Sequence, residues 1–116
     1  MNIEETNTKH DKAMEFATLA FLAEQRGETD DASRLYREAY ELEKLVADKL
    51  IPTDIEPSRS VILRSAASLA IDCGEYREAE KLIATALAGD PPKTIADQLR
   101  DLIVQVVAQL RQPVGD

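Results

Sequence analysis

Apolar residues recur at helical steps over nearly the whole chain, and the pattern is interrupted twice in the same way. From about Lys9 to Arg26, Ala13, Phe16, Ala17, Leu19, Ala20, Phe21, Leu22 and Ala23 cover most of a helix surface, which predicts a helix contacted on more than one side. Gly27, free to adopt φ > 0, ends it. A second helix starts near Thr29 or Asp30, both good capping residues, and carries Ala32, Leu35, Tyr36, Ala39, Leu42 and Val46 on one face to about Leu50. Its other face sets Arg34 with Glu38, Arg37 with Glu41 and Lys44 with Asp48 at four-residue spacing, the pattern of a solvated surface.

The second half repeats the plan. Ile51 to Glu56, with Pro52 and Asp54, reads as a returning loop, and Pro57 suits the first turn of a third helix. Leu63, Ala66, Ala67 and Ala70 lead to Gly74; Ala79, Leu82, Ile83, Ala86 and Leu87 follow it on a fourth helix, whose first turn is made negative by Glu75 and Glu78. Gly89-Asp90-Pro91-Pro92 cannot continue a helix, because proline lacks the amide donor and collides with the preceding turn. At an offset of 47, the separation of Gly27 and Gly74, Ala20 falls on Ala67, Ala23 on Ala70, Ala32 on Ala79, Leu35 on Leu82 and Ala39 on Ala86. The chain is thus an internal duplication in pattern. A fifth segment, Lys93 to Arg111, is the most hydrophobic, with Ile95, Leu99, Leu102, Ile103, Val106, Val107 and Leu110 on one broad face.

Charge and composition narrow the function. With 116 residues the chain makes one domain, read as a flexible start over 1–8, helical pairs over 9–50 and 57–89, a capping helix over 92–111 and a flexible tail over 112–116. Its 14 basic against 22 acidic residues give a net charge of -8, which argues against a nucleic-acid backbone or an anionic membrane surface as partner. Cys73 is the single cysteine, so no internal disulfide forms. The polar, acidic first residues do not read as a secretion signal, and a cytoplasmic location is expected.

Candidate chemistry is sparse. His10, the one histidine, falls in the expected unstructured start, which removes a histidine-based acid, base or metal cluster. No glycine-rich phosphate loop occurs. Glu38, Glu41 and Asp48 read as surface charge, without the Glu-x-x-His pattern of di-metal bundles. Neither an enzyme, a cofactor nor a metal is expected.

Leu63, Ala66, Ala67, Ala70, Ala79, Ile83 and Pro91 stand at the intervals of the tetratricopeptide repeat, with Leu63 in place of the usual tryptophan and Ala70 in place of the usual tyrosine. Phe16, Leu19, Ala20, Ala23, Ala32 and Tyr36 fall on the same positions of an earlier repeat, in which Lys44 replaces the terminal proline, so the second helix overruns. The chain therefore resembles a small bacterial protein of that family. The resemblance implies an all-α fold of about five helices, antiparallel pairs wound into a short right-handed superhelix, acting as an adaptor for a protein or peptide. It also implies a concave groove lined by the first helix of each pair, placing Met14, Ala17, Phe21 and Glu24 beside Val61, Arg64, Ser65, Ser68 and Asp72. Met14, Phe21, Arg64 and Ser68 are the candidate partner-binding residues. Arg64 either clamps a partner carboxylate or bridges to an acidic residue of the preceding pair, such as Glu24, and Met14 and Phe21 form either pockets or core. The lysine, asparagine and arginine set with which some members bind acidic chaperone termini is missing.

Two repeats need an element over their open end. The fifth helix either supplies it or joins two copies through Leu99, Ile103, Val106, Val107 and Leu110, with Val104 as surplus. The alternative to an adaptor is accordingly a structural homodimer.

Overall fold

The computed structural model describes residues 2–50 and 55–112. These form five helices and no strand: α1 (Ile3–Gln25), α2 (Thr29–Leu50), α3 (Ser58–Asp72), α4 (Tyr76–Leu87) and α5 (Lys93–Leu110). Met1, most of the loop expected over 51–56 and the end of the tail expected over 112–116 lie outside the described residues.

Helix α1 begins at Ile3, well ahead of the expected Lys9, and so takes in most of the segment read as flexible. The reason is a local one. The Asn2 side chain accepts a hydrogen bond from the Glu5 amide at 2.8 Å, and Glu4 and Glu5 put negative charge on the positive end of the helix dipole. Thr6 is already buried.

Both glycines end their helices by the same device. Gly27 at φ 78° and Gly74 at φ 74° occupy the left-handed region. Around Gly27, the Glu28 amide donates to the Ala23 carbonyl at 2.9 Å and the Gly27 amide to Glu24 at 3.0 Å; around Gly74, the Glu75 amide donates to Ala70 at 2.8 Å and the Gly74 amide to Ile71 at 3.0 Å. This is the Schellman arrangement at both sites. An added Cβ would meet nothing within 4 Å at either glycine, so Gly74→Ala should cost about 1–2 kcal/mol from backbone strain alone. Chemical denaturation of that variant measures it, and no loss would mean the turn relaxes to another conformation.

The short turns fold each pair back on itself. Helix α1 packs on α2, α2 on α3, α3 on α4 and α4 on α5, with a further contact between α3 and α5. Alanines let the helices approach closely: Ala20 and Ala67, Ala23 and Ala70, Ala32 and Ala79, and Ala39 and Ala86 are each at most 4 % exposed, so the 47-residue correspondence of the sequence extends to burial. Between them Leu63, Ile83, Leu99, Val46 and Val106 are fully buried and supply the bulk of the core.

Polar groups enter this core under control. The buried Arg59 guanidinium donates from Nη2 to the Thr85 carbonyl at 2.8 Å, capping the last turn of α4, where positive charge is favoured. Gly89 leaves room for it, since a Cβ there would collide with Arg59 Nη1. Ser60, also buried, donates its hydroxyl to Glu56 at 2.7 Å, and its amide donates to the same carboxylate at 3.0 Å.

Two expectations about exposure are corrected. Helix α1 is contacted on one side only: Ala13, Ala20 and Ala23 are buried, whereas Leu19, Phe21 and Leu22 lie 48 %, 53 % and 42 % exposed. A dense apolar pattern reports which faces are apolar, and α1 is the outermost helix, with only α2 packed broadly against it. The face of α5 proposed to join two copies is largely spent inside the chain. Leu99 and Val106 are fully buried, and Ile103 and Leu110 pack partly buried against the same core. Val107 is half-buried, and Val104, 68 % exposed, is the large apolar side chain of α5 that faces outward.

Candidate functional site

An open cleft of about 620 Å³ runs across α1, α3 and α5. Met14 and Ala17 of α1, Leu69 of α3 and Leu102 of α5 make its apolar floor. Polar groups stand around them: Arg64, Ser65, Ser68 and Asp72 from α3, Gln98 and Asp101 from α5, and Tyr36 from α2. The helical period accounts for this, because Arg64, Ser68 and Asp72 are successive members of one four-residue row on α3, while Gln98, Asp101 and Leu102 form a three- and four-residue row on α5.

Of the residues put forward from sequence, Met14, Arg64 and Ser68 line this cleft and Phe21 does not. Arg64 does not bridge to Glu24; its Nη1 donates to Gln98 Oε1, joining α3 to α5 at the cleft wall. The repeat pattern places only α1 and α3 on this face, and α5 joins them. The row Gln98, Asp101 and Leu102 borders the apolar face of α5, where polar and apolar positions meet.

At the other end of the cleft the electrostatics are unbalanced. Withdrawal from water, with Glu24 alongside, pushes the Asp72 carboxyl up to about 6, although the residue as a whole keeps considerable solvent exposure. The Tyr36 hydroxyl is pushed up by burial and then by Asp72 and Glu24. The neighbouring arginines are engaged elsewhere: Arg26 meets Glu28 at 2.6 Å, and Arg37 meets Glu75 at 3.2 Å while lying 5.8 Å from the centre of the Tyr40 ring. Burial is also the main influence on Cys73, which pushes the thiol up and away from the reactive thiolate.

A second polar feature was missed altogether. His10 belongs to an ordered helix, and its Nδ1 lies 2.7 Å from Oε2 of Glu43 on α2. Glu43 is completely buried, and its Oε1 makes no hydrogen bond. Burial pushes the carboxyl up to about 7, a rise that His10, and more weakly the nearby Ser65 hydroxyl, partly offset. The signal for it was legible: Glu43 shares a face with Ala39, Val46 and Ala47, all buried. The imidazole also edges a smaller hollow of about 210 Å³, walled by Ile3, Thr6, Pro57 and Val61 among others. No incoming molecule can touch the Glu43 carboxylate, so the pair acts as a fastener between α1 and α2.

Among the described residues, no cluster of three or more histidine, cysteine, aspartate or glutamate side chains is placed to hold a metal ion. No helix among them is long and apolar enough to cross a membrane. No protein-family model, curated protein or solved structure matches the chain.

Proposed function

We propose that the chain is a noncatalytic protein–protein interaction module, a tetratricopeptide-like stack of two helix pairs and a closing helix whose cleft takes up a peptide or helix of another protein. One observation carries this reading. The first helix of each pair and the closing helix, with Tyr36 of α2, line one open channel that combines apolar and polar side chains. A channel of about 620 Å³ suits side chains of a bound segment, and open walls suit a continuous chain better than an enclosed small molecule. The repeated Schellman turns and the matched buried alanines support a right-handed superhelix of equivalent pairs, in which first helices line the inner curve.

The test is a comparison of copurifying proteins identified by mass spectrometry. Filling the cleft with Ser68→Trp, together with Arg64→Glu at its wall, should remove the specific partner. Phe21→Ala, outside the cleft, should keep it. Retention of every partner by the filled variant, shown by circular dichroism to be folded, would sink the reading.

A further inference from the structure

The smaller hollow beside His10 lies between the N-terminal parts of α1 and α3 and shares no lining residue with the cleft. Thr6 and His10 both line it, and their four-residue spacing on α1 sets them on one face with Cβ atoms roughly 5–6 Å apart. Thr6 is 6 % exposed, yet its hydroxyl makes no hydrogen bond, whereas Thr8, Thr18 and Thr85 each return theirs to the carbonyl four residues back. A hydroxyl so far withdrawn from water ordinarily has a partner. The His10 ring is held from behind: its Nδ1 is taken by Oε2 of the fully buried Glu43, which leaves Nε2 as the ring nitrogen a guest can reach. Ile3, Pro57, Val61 and Ile62 complete an apolar wall around these two polar groups.

We propose that this hollow binds a small uncharged molecule, an apolar body bearing one carbonyl oxygen, which accepts hydrogen bonds from the Thr6 hydroxyl and from Nε2 of His10 while the body lies against Ile3, Pro57, Val61 and Ile62. A carbonyl oxygen has two lone pairs, one for each donor. The volume of about 210 Å³, roughly seven times the share of one water molecule in the liquid, admits a single small guest. Charge is selected against on both sides. Among the described residues no charged side chain other than His10 lines the hollow, and an anion would approach a chain of net charge -8 and the Glu43 carboxylate behind the imidazole. A cation would meet an N–H donor. The donor role of Nε2 follows from the proton that His10 and Glu43 share. Whether it rests on Glu43, donating to Nδ1, or on Nδ1, the imidazole keeps its hydrogen on Nε2. Once the pair has lost that proton, Nδ1–H donates to the carboxylate and Nε2 is left as an acceptor. The groups facing the pair are few: α2 presents Glu43 to the imidazole, and α3 presents the Ser65 hydroxyl to the Glu43 carboxyl.

The experiment titrates cyclohexanone into the intact protein and follows the amide signals of Thr6, His10 and Val61 by nuclear magnetic resonance. Saturable shifts confined to this end of α1 and α3 are expected near pH 6. Methylenecyclohexane, of the same shape without the oxygen, should bind about tenfold more weakly, and Thr6→Val, which keeps the side-chain shape and removes the hydroxyl, should weaken the ketone several-fold. Affinity for the ketone should fall as pH rises through about 7, the value to which burial pushes the Glu43 carboxyl. Val61→Trp, shown to be folded by circular dichroism, should abolish the shifts. Equal affinity for the ketone and the hydrocarbon, or unchanged affinity in Thr6→Val, would overturn the polar recognition. Tighter binding of cyclohexanecarboxylate or cyclohexylammonium than of the ketone would overturn the preference for an uncharged guest. No saturable shift with cyclohexanone, or shifts that persist in Val61→Trp, would remove the site.

Discussion

Leu99→Ala should destabilise the protein by about 2–5 kcal/mol, lowering the thermal midpoint by roughly 10 °C or more. Leu99 is one of the largest fully buried side chains, and it sits on α5 within the cluster that joins α2, α3 and α4. Truncation there removes apolar contact and leaves a cavity that rigid neighbouring helices cannot close. Val104→Ala, on the exposed side of the same helix, should stay within about 0.5 kcal/mol of the native chain. The contrast separates two roles for α5. A helix that caps the second pair shows a large loss at Leu99 in a monomer, independent of protein concentration. A helix that chiefly joins copies would show a small loss at Leu99 and a concentration-dependent midpoint. Equal, small effects at both positions would refute the packing described for α5.

Raising the pH from about 4.5 to about 7 should weaken the fold, and Glu43→Gln should remove much of that dependence. The unfolded chain gives up the Glu43 proton near the ordinary carboxylate value, whereas burial pushes the folded group up to about 7. Between those limits the folded state holds a proton that the unfolded state has lost, so stability falls as pH rises. The full stabilising effect of that proton is present below about 4.5 and is gone above about 7. Over the window the change amounts to roughly 2–3 kcal/mol. Asp72, pushed up to about 6, acts in the same direction but more weakly because solvent reaches it. Glu43→Gln keeps a hydrogen-bonding group at His10 and cannot ionise. It should match the native chain near pH 4.5 and exceed it in stability at pH 8. Denaturation midpoints of both proteins across that range decide the matter, and parallel curves would show that Glu43 ionises freely in the fold.

The helices and their two glycine turns were legible because the signals are local. Alanine and leucine at steps of three and four mark a face, and a glycine followed by acidic residues marks a stop and a start. The start of α1 was legible too, in Asn2 followed by Glu4 and Glu5, but the lack of apolar period in that stretch outweighed the cap. What sequence could not supply was which apolar faces meet a neighbour. Leu19, Phe21 and Leu22 look like core until α1 is known to be outermost, and Leu99 and Val106 look like a seam until α5 is seen to close on α3 and α4. The cleft was partly legible for the same reason: its α1 and α3 walls follow from the repeat pattern, whereas Tyr36 and the α5 wall depend on how the closing helix packs. The His10–Glu43 pair spans 33 positions, and only the fold brings its members together.

The two flanks of the stack differ in a way that matters for engineering. On the α5 side, Leu99 and Val106 are buried, while Asp97, Arg100 and Gln105 face water around Val104, which makes a mostly hydrophilic terminus. On the α1 side, Leu19, Phe21 and Leu22 form an unsaturated shoulder. A grafted helical hairpin would therefore find a ready seat upstream of α1, whereas lengthening beyond α5 would first demand rewriting its outer face. Growth of this scaffold is directional.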